Sequence, residues 1–252
     1  MSVPAREPRT EEVAACPLCG SDRHALRFEQ PDRASGVPGR YRYRECAACG
    51  TVFQSPRVID ADLPSLYPPG YYTHAAPAHR GRPRGAVARS VRDGIARRIR
   101  AALRPGEGEP GVLGRALAHS RRLRERAFHD RALDELLPRS APAGRLLDVG
   151  CGTGLHMRLL AELGWEVEGL EWDERAAAVA RAVTGRPVTV GDVHGLPDGA
   201  RFHAILLHHV FEHLPDPVAD LRRLGELLEQ DGRIVLVWPN PRALGARRFG
   251  PE

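Results

Sequence analysis

Short apolar runs and helical patterns alternate along the second half of the chain. The apolar runs are typical of buried parallel strands and lie at residues 145–149, 165–171, 187–190, 202–207 and 233–238. Apolar residues at helical spacing separate them at residues 155–163, 174–184 and 217–228. This alternation predicts an α/β fold with a doubly wound, mostly parallel sheet in residues 141–252.

The N-terminal part has a different pattern, in which short strands flank two cysteine pairs. The strands are predicted at residues 24–28, 41–45 and 51–54. Two C-x-x-C-G sequences lie about 26 residues apart and contain Cys16 and Cys19, then Cys46 and Cys49. Four thiolates at this spacing are typical of a closed tetrahedral zinc site, so we predict a structural zinc ribbon in residues 1–56. Disulfides are the alternative, and they require an oxidising compartment.

Residues 57–140 are predicted to form a linker with basic amphipathic helices. A segment rich in Pro and Tyr at 63–72 is expected to pack the ribbon against the main domain, or to bring a Tyr to a substrate. Residues 74–84 are typical of a linker, 104–111 of a loop and 115–137 of a helix. Apolar residues recur every four positions, with Arg between them, at Val87, Val91, Ile95, Ile99 and Leu103. This pattern predicts an amphipathic helix that lies across its own domain. Alternatively, the helix could bind a membrane surface or an acidic partner.

Three glycines at alternate positions follow the first strand of the predicted sheet. Gly150, Gly152 and Gly154 come after Asp148, and a helical pattern begins at residue 155. Such a turn lets a ligand lie against bare backbone, and the N–H groups of the following helix attract electron-rich groups. The spacing fits neither G-x-G-x-x-G nor a phosphate loop, which needs a Lys. An acidic residue before the turn favours a ligand with an amino group and a positive charge.

The sequence LDVGCGTG at residues 147–154 resembles the first motif of the class I S-adenosylmethionine-dependent methyltransferases. The resemblance implies a Rossmann-like domain that binds S-adenosylmethionine. Glu171 ends the second predicted strand, where a carboxylate can accept both hydroxyl hydrogens of a ribose. The family pattern assigns Asp192 to the adenine amino group and Val193 to the face of the ring. The full predicted cofactor set is Asp148, Gly150, Cys151, Gly152, Gly154, Glu171, Trp172, Asp192, Val193 and His208.

Three His and one Glu lie within six residues at the end of the fourth predicted strand. The segment resembles the HVxEHLxDP block of small-molecule methyltransferases, whose first part touches the methionine half of the cofactor. His213 is the first candidate for a general base and His209 the second, because an imidazole titrates near neutrality. Some ubiquinone-pathway O-methyltransferases use an E-x-x-E-H metal site in this block. Here His209 replaces the first Glu, which disfavours a divalent metal.

Composition and charge narrow the class of protein less than the motifs do. The apolar and charged fractions, 42% and 27%, are those of a globular protein. A net charge of +5 suggests a nucleic-acid partner, but all 37 basic residues are Arg in a chain rich in Ala, Gly and Pro, which indicates codon bias instead. No apolar run reaches the roughly 20 residues of a membrane span, and the N-terminus lacks an apolar signal segment. We therefore expect a cytoplasmic protein.

The chain stops soon after the fifth predicted strand, whereas the family fold adds a helix and an antiparallel pair, strands six and seven. A partner or a missing C-terminal segment is expected to cover the edge of strand five. Together, the cysteine pairs, the Tyr-rich segment and the core resemble bacterial methyltransferases of deoxysugar, polysaccharide and natural-product pathways. This implies methyl transfer to C, O or N of a small-molecule acceptor. The alternatives are an rRNA methyltransferase with a zinc module, and a non-catalytic zinc-ribbon protein with a truncated methyltransferase domain.

Overall fold

A computed structural model describes most of the chain in two compact units. The described residues are 6–33, 35–67, 94–95, 98–99, 101–103, 112–120, 122–124, 135–136 and 143–243. The first unit comprises Met1–His74, Glu212–Leu221 and Pro239–Glu252, and the second comprises Ala75–Phe211 and Arg222–Trp238. The domain boundaries at residues 56 and 140 stay a prediction.

The first unit contains two small antiparallel sheets. Strand β1 (Thr10–Glu11) pairs with β5 (Arg57–Val58), and β2 (His24–Gln30), β3 (Tyr41–Cys46) and β4 (Val52–Gln54) form a three-stranded sheet in that order. The three strands predicted around the cysteine pairs are confirmed. Strands β1 and β5 carry no sequence pattern of their own, because each has two residues and depends on its partner.

An ion pair between the exposed Arg9 and the buried Asp62 attaches the N-terminal segment of the first unit to the 3-10 helix Asp60–Leu66. Asp62 is 8% exposed and accepts hydrogen bonds from the backbone N of Arg9 at 2.9 Å and from its Nη2 at 2.8 Å. These hydrogen bonds lower the pKa of Asp62 well below its ordinary value. Arg9 directly precedes β1 and Asp62 follows β5, so this contact lies at the end of the β1–β5 pair that is away from the cysteines.

The second unit is built on a five-stranded sheet in which all neighbouring strands are parallel. The order is β10 (Leu228–Val237), β9 (Phe202–His208), β6 (Arg145–Val149), β7 (Glu166–Glu171) and β8 (Val188–Val190). The central strands are apolar because a parallel sheet is covered on both faces. The doubly wound α/β architecture is confirmed.

Four α-helices have both ends within the described residues: α1 (Val112–Ala118), α2 (Leu155–Glu162), α3 (Glu174–Thr184) and α4 (Pro217–Glu226). Residues 94–95, 98–99, 101–103, 122–124 and 135 are also helical. The bounds of α3 follow from local chemistry. The carboxylate of Asp173 accepts from the backbone N–H groups of Arg175 and Ala176, and Gly185 ends the helix at φ 65°. Leu160 on α2 packs with Leu146 and Leu206 of the sheet in a core that excludes water.

The structure corrects two boundaries of the predicted helices. The helix predicted at 115–137 begins earlier, at Val112, and is interrupted after Ala118. The backbone carbonyl O of Ser120 then accepts from the N–H groups of Leu123 and Arg124, both at 3.0 Å, and residues 122–124 and 135 are helical again. The helix predicted at 217–228 ends at Glu226.

The turn predicted at residues 231–232 lies within the bounds of β10 and interrupts its pairing with β9. The pairing passes from Leu228 opposite Phe202 to Arg233 opposite Ala204. A Cβ on Gly232 would lie 2.9 Å from the carbonyl O of Glu229, so the chain turns back on itself here and both ends of the strand stay in register with β9.

Several predicted segments lie outside the described residues. They include the Tyr-rich segment beyond residue 67, the linker at 74–84, the loop at 104–111, and Val87 and Val91 of the basic helix. Ile99 of that helix is described, and it is fully buried in a small cluster with Ala118. None of the helices in the described ranges has the length and apolar character that a membrane crossing requires.

Candidate functional site

The glycine turn after β6 bends toward β7 at the carboxyl edge of the sheet. The backbone N of Gly150 donates to the carbonyl O of Leu170 at 2.7 Å. Gly150 and Gly154 have φ of 65° and 82°, in the region that favours glycine. A Cβ at Gly150 would collide with the side chain of Val210, and one at Gly154 would lie 2.8 Å from Cγ2 of Thr184. Both conformation and space therefore demand glycine here.

Asp148 lies directly below this turn and is almost completely buried, with 1% exposure. Its Oδ2 has no hydrogen-bond partner among the residues that the structure describes, whereas the backbone N–H of Met157 donates to the carboxylate. Burial raises the pKa of Asp148 to about 6, against the opposing influence of His156 and His208. A buried carboxylate oxygen without a donor is costly unless something else supplies one.

Glu171, at the end of β7, joins the glycine turn to the start of the next segment. Its Oε2 accepts from the backbone N of Gly152 at 2.8 Å, and its Oε1 accepts from the backbone N of Asp173 at 3.0 Å. The side chain is 3% exposed. Each carboxylate oxygen has two lone-pair sites, so Glu171 keeps capacity for two further donors.

The segment after β8 lies beside the end of β7, because the backbone N of Gly191 donates to the carbonyl O of Glu171 at 3.1 Å. Asp192 is exposed, and its Oδ1 accepts from the backbone N of His194 at 2.9 Å and of Gly195 at 3.1 Å. It thus caps the 3-10 helix Val193–Gly195, a local role that sequence reasoning did not assign to it. Val193 is buried, while Trp172, after Glu171, is 44% exposed.

Cys151 is in the turn, but its thiol faces the core. A Cβ on Gly169 of β7 would lie 2.7 Å from Sγ of Cys151, so the missing side chain of Gly169 makes room for the thiol. Burial raises the pKa of Cys151 far above its ordinary value. The thiol is therefore inert, and any contact of Cys151 with a ligand is limited to its backbone.

Histidines gather where β9 ends in the second unit. The ring centroids of His156 and His208 are 4.3 Å apart, and those of His208 and His209 are 4.8 Å apart. His209 has φ 56°, which is uncommon outside glycine, and its backbone N donates to the carbonyl O of Val237 at 2.8 Å. Sequence reasoning missed His156, although its position two residues after Gly154, in the first turn of α2, is a signal that could have found it.

His213, the other candidate base, belongs to the first unit. It is exposed, and its ring meets that of Tyr67 edge to face, with centroids 6.1 Å apart and planes at 70°. Tyr67 belongs to the Tyr-rich segment, which was predicted either to pack the ribbon against the main domain or to bring a Tyr to a substrate. The two candidate bases, His213 and His209, thus fall in different units.

The four cysteines of the first unit come together as the sequence predicts. Their Sγ atoms all lie within 4.8 Å of one another, with Cys16 and Cys49 at 3.7 Å and Cys19 and Cys46 at 3.6 Å. Four sulfurs about 2.3 Å from a tetrahedral zinc ion would be about 3.8 Å apart, so the cluster has the right size for that ion.

Both cysteine pairs have the same backbone frame. The N–H of Gly20 donates to the carbonyl O of Cys16 and the N–H of Gly50 to that of Cys46, each at 2.9 Å. The two glycines have φ of 72° and 74°, which lets each chain curl beneath its sulfurs. Hydrogen bonds with Thr51 lower the pKa of the Cys49 thiol, whereas the neighbouring thiols raise that of Cys19, so the four thiols share their protons unequally.

Comparison with known proteins shows which family the chain belongs to. A family model described as a methyltransferase domain matches residues 118–250. A ubiquinone biosynthesis O-methyltransferase of Xanthomonas campestris is 34% identical over 131 residues, covering 48% of this chain and 54% of that protein. The chain spans about half the length of the curated relatives it matches.

Two solved structures are similar to part of the chain. Streptomyces venezuelae DesVI is 29% identical, with a TM-score of 0.36, and the match covers 43% of this chain and 49% of that one. The plantazolicin methyltransferase BpumL, solved in complex with SAH, is 18% identical, with a TM-score of 0.41 and coverage of 62% and 63%.

Proposed function

Since this chain belongs to the class I S-adenosylmethionine-dependent methyltransferases, we propose that it binds S-adenosylmethionine and transfers its methyl group to a small-molecule acceptor. The observation that carries the proposal is the buried Asp148, with an oxygen that lacks a donor among the described residues, below a turn that only glycine can form. A cationic ligand with an amino group would supply that donor. The carboxylate and the bare backbone therefore fit the amino acid end of this cofactor.

Each of the other predicted cofactor residues would contact a different part of S-adenosylmethionine. Glu171 would hold the ribose hydroxyls with its remaining lone pairs. Asp192 would accept from the adenine amino group, with Val193 and Trp172 as apolar neighbours of the ring. The N–H groups and bare backbone of the glycine turn, together with His208, would border the methionine half. These roles remain proposals, supported by the order of strand ends along the sheet.

The chemistry follows from the cofactor, which when bound supplies a methyl group already activated by its sulfonium. The residues of this chain have to align a nucleophile with that methyl group and keep water away. They also have to remove a proton where the acceptor carries one. His213, beside Tyr67, remains the first candidate base, and His209 the second.

The relatives indicate which acceptor atom to test first. The Xanthomonas campestris protein is an O-methyltransferase by name, so a hydroxyl oxygen is the first candidate. Sugar nucleotides, polysaccharide precursors and natural products remain the acceptor classes that the N-terminal pattern suggests.

We also propose that Cys16, Cys19, Cys46 and Cys49 hold one structural zinc ion. Four protein ligands fill a tetrahedral shell and leave no place for a substrate, so the ion would stabilise the first unit without joining the reaction.

Calorimetry with S-adenosylmethionine, followed by radiolabelled methyl transfer to acceptor panels, tests the proposed function. We expect binding in the micromolar range and transfer to a small hydroxyl compound. Binding without transfer to any small molecule, together with salt-sensitive labelling of RNA, would favour the rRNA alternative. No binding at all would favour the non-catalytic alternative.

A further inference from the structure

The chain that follows β10 forms a tight turn in the first unit. We call residues 239–243 the proline segment, because its two prolines fix their backbone φ and leave the segment fewer conformations to lose when it becomes ordered. Oδ1 of Asn240 accepts from the backbone N of Arg242 at 2.9 Å, and its carbonyl O accepts from the backbone N of Ala243 at 3.0 Å. These two hydrogen bonds fix the backbone that carries Arg242.

Three residues on or between strands β2, β3 and β4 meet the proline segment. Nη2 of Arg27 donates to the carbonyl O of Pro241 at 2.9 Å, and Oε1 of Glu45 accepts from Nη2 of Arg242 at 3.0 Å. A Cβ on Gly50 would lie 2.8 Å from the same Nη2, so the missing side chain makes room for the guanidinium. We call Arg27, Glu45 and Gly50 the segment-binding surface.

The sheet itself aims Arg27 at this contact. Arg27 lies where the pairing of β2 with β3 shifts register, as the extra residue of a β-bulge, and a bulge re-aims a side chain. Its Nη1 pairs with Oε2 of Glu45 at 3.3 Å. Glu45 therefore receives one guanidinium on each oxygen, from Arg27 on Oε2 and from Arg242 on Oε1.

The segment-binding surface is continuous with the backbone of the second cysteine pair. Glu45 directly precedes Cys46, and Gly50 directly follows Cys49. The N–H of Gly50 donates to the carbonyl O of Cys46 at 2.9 Å. Whatever fixes these two cysteines therefore also fixes Glu45 and Gly50.

We propose that a zinc ion on the four cysteines keeps the proline segment ordered, because it fixes the surface to which the segment binds. The inference rests on the proposed zinc site. Arg242 is 67% exposed, and an ion pair so exposed is weak, so the contacts hold the segment only where the surface is already rigid. Removing the metal unfolds that surface and releases the segment.

Hydrogen exchange of the Arg242 and Ala243 amides, measured by mass spectrometry on the full chain, tests the proposal. The zinc-loaded wild type is compared with the chelated wild type, with Glu45→Gln and with the control Glu29→Gln. Glu29 lies on β2 of the same sheet and pairs with two other arginines. We expect both amides to exchange at least threefold faster in Glu45→Gln and faster still after chelation, while the control follows the wild type.

Arg242→Gln removes the same ion pair from its exposed side and should give the same increase, which guards against a general loosening of the sheet in Glu45→Gln. Zinc content separates this inference from the proposed zinc site, since Glu45→Gln should keep its metal. Exchange as slow as in the wild type, either in zinc-loaded Glu45→Gln or after complete removal of the metal, would overturn the inference. A wild type that binds no added zinc would refute both the zinc site and the metal dependence.

Discussion

Burying the ionised carboxylate of Asp148 lowers the free energy of unfolding. Burial raises its pKa from 3.8 to about 6, so the folded state binds a proton there more tightly than the unfolded state. This contribution to stability is fully present below pH 3.8 and is lost as the pH rises through about 6. Such a group persists where its ionised form is useful, as in a site for a cation.

Asp148→Asn should therefore stabilise the protein without cofactor above pH 6 while weakening cofactor binding. A pKa near 6 corresponds to about 2–3 kcal/mol, because a tenfold change in an ionisation constant is worth about 1.4 kcal/mol. The free energy of unfolding, from urea titrations at pH 8 and pH 4, should rise in the variant at pH 8 and match the wild type at pH 4. A variant that is less stable at pH 8 would contradict this account of the carboxylate.

Glu171→Gln tests the hydrogen bonds at the end of β7. One oxygen becomes an NH₂ group, which then faces a backbone N–H from Gly152 or Asp173. We expect a loss of about 1–3 kcal/mol in stability, because a buried donor is left unpaired. Cofactor affinity, measured by calorimetry, should fall at least tenfold.

Glu168→Gln is the matched control on the same strand. Glu168 is half-buried and pairs with Arg145, away from the carboxyl end of the sheet. Its loss should cost less than about 1 kcal/mol, the usual value of an ion pair near the surface, and leave cofactor affinity unchanged. An equal loss of affinity in both variants would place the ribose contact elsewhere.

Each glycine of the turn between β6 and α2 acts through the element it touches. Gly154 precedes α2 at φ 82° and faces Ala180 and Thr184 of α3, so it sets how closely the turn approaches that helix. Gly225, by contrast, lies inside α4 with open space around its missing Cβ. The same substitution should thus have opposite effects at the two sites.

Gly154→Ala should destabilise the second unit by about 1–3 kcal/mol, from backbone strain and from the contact with Thr184. Gly225→Ala should stabilise α4 by about 0.5–1 kcal/mol, since alanine has the higher helix propensity. Thermal unfolding followed by circular dichroism measures both. A Gly154→Ala protein as stable as the wild type would show that the turn can accommodate a side chain here without a loss of stability.

The three-stranded sheet that carries the cysteine pairs has strands too short to be stable alone. Beside the cysteine pairs, Cys16, Cys46 and Phe53 form one small buried apolar cluster, with Val13 packed against them. A core of that size cannot offset the entropy of ordering three strands. We therefore expect the metal to supply the missing stability.

Cys19→Ser should lose the bound zinc, whereas Cys151→Ala should retain one zinc per chain. Zinc content after purification is measured by mass spectrometry, and hydrogen exchange of β2 to β4 reports the local fold. We expect the exchange protection of these strands to collapse in Cys19→Ser and in the chelated wild type. Intact protection after complete removal of the metal would rule out a structural role for it.

Across the whole chain, the basic charge does not by itself indicate a nucleic-acid partner. The net charge is +5, yet many arginines of the described chain pair with carboxylates, as Arg40 and Arg42 do with Glu29. We expect no RNA binding that survives about 150 mM salt, measured by fluorescence anisotropy with a mixed-sequence RNA. Tight binding at that salt concentration would revive the rRNA alternative.

The sequence by itself was enough to identify the features that depend on neighbours in the chain. The bounds of α3, the glycine turn and the cysteine pairs follow from caps, positive φ and ligand spacing, all of which act over a few residues. The strand–helix alternation then implied a parallel sheet, because parallel strands need a crossover between them.

Tertiary structure alone determined the features that depend on residues far apart in sequence. No local pattern places β9 between β6 and β10 or turns the thiol of Cys151 toward Gly169. The contact between the rings of His156 and His208 is of the same kind, since it joins the start of a helix to the end of a strand some fifty residues later. Burial and electrostatics are sums over all surrounding atoms, so they exist only once the chain has packed.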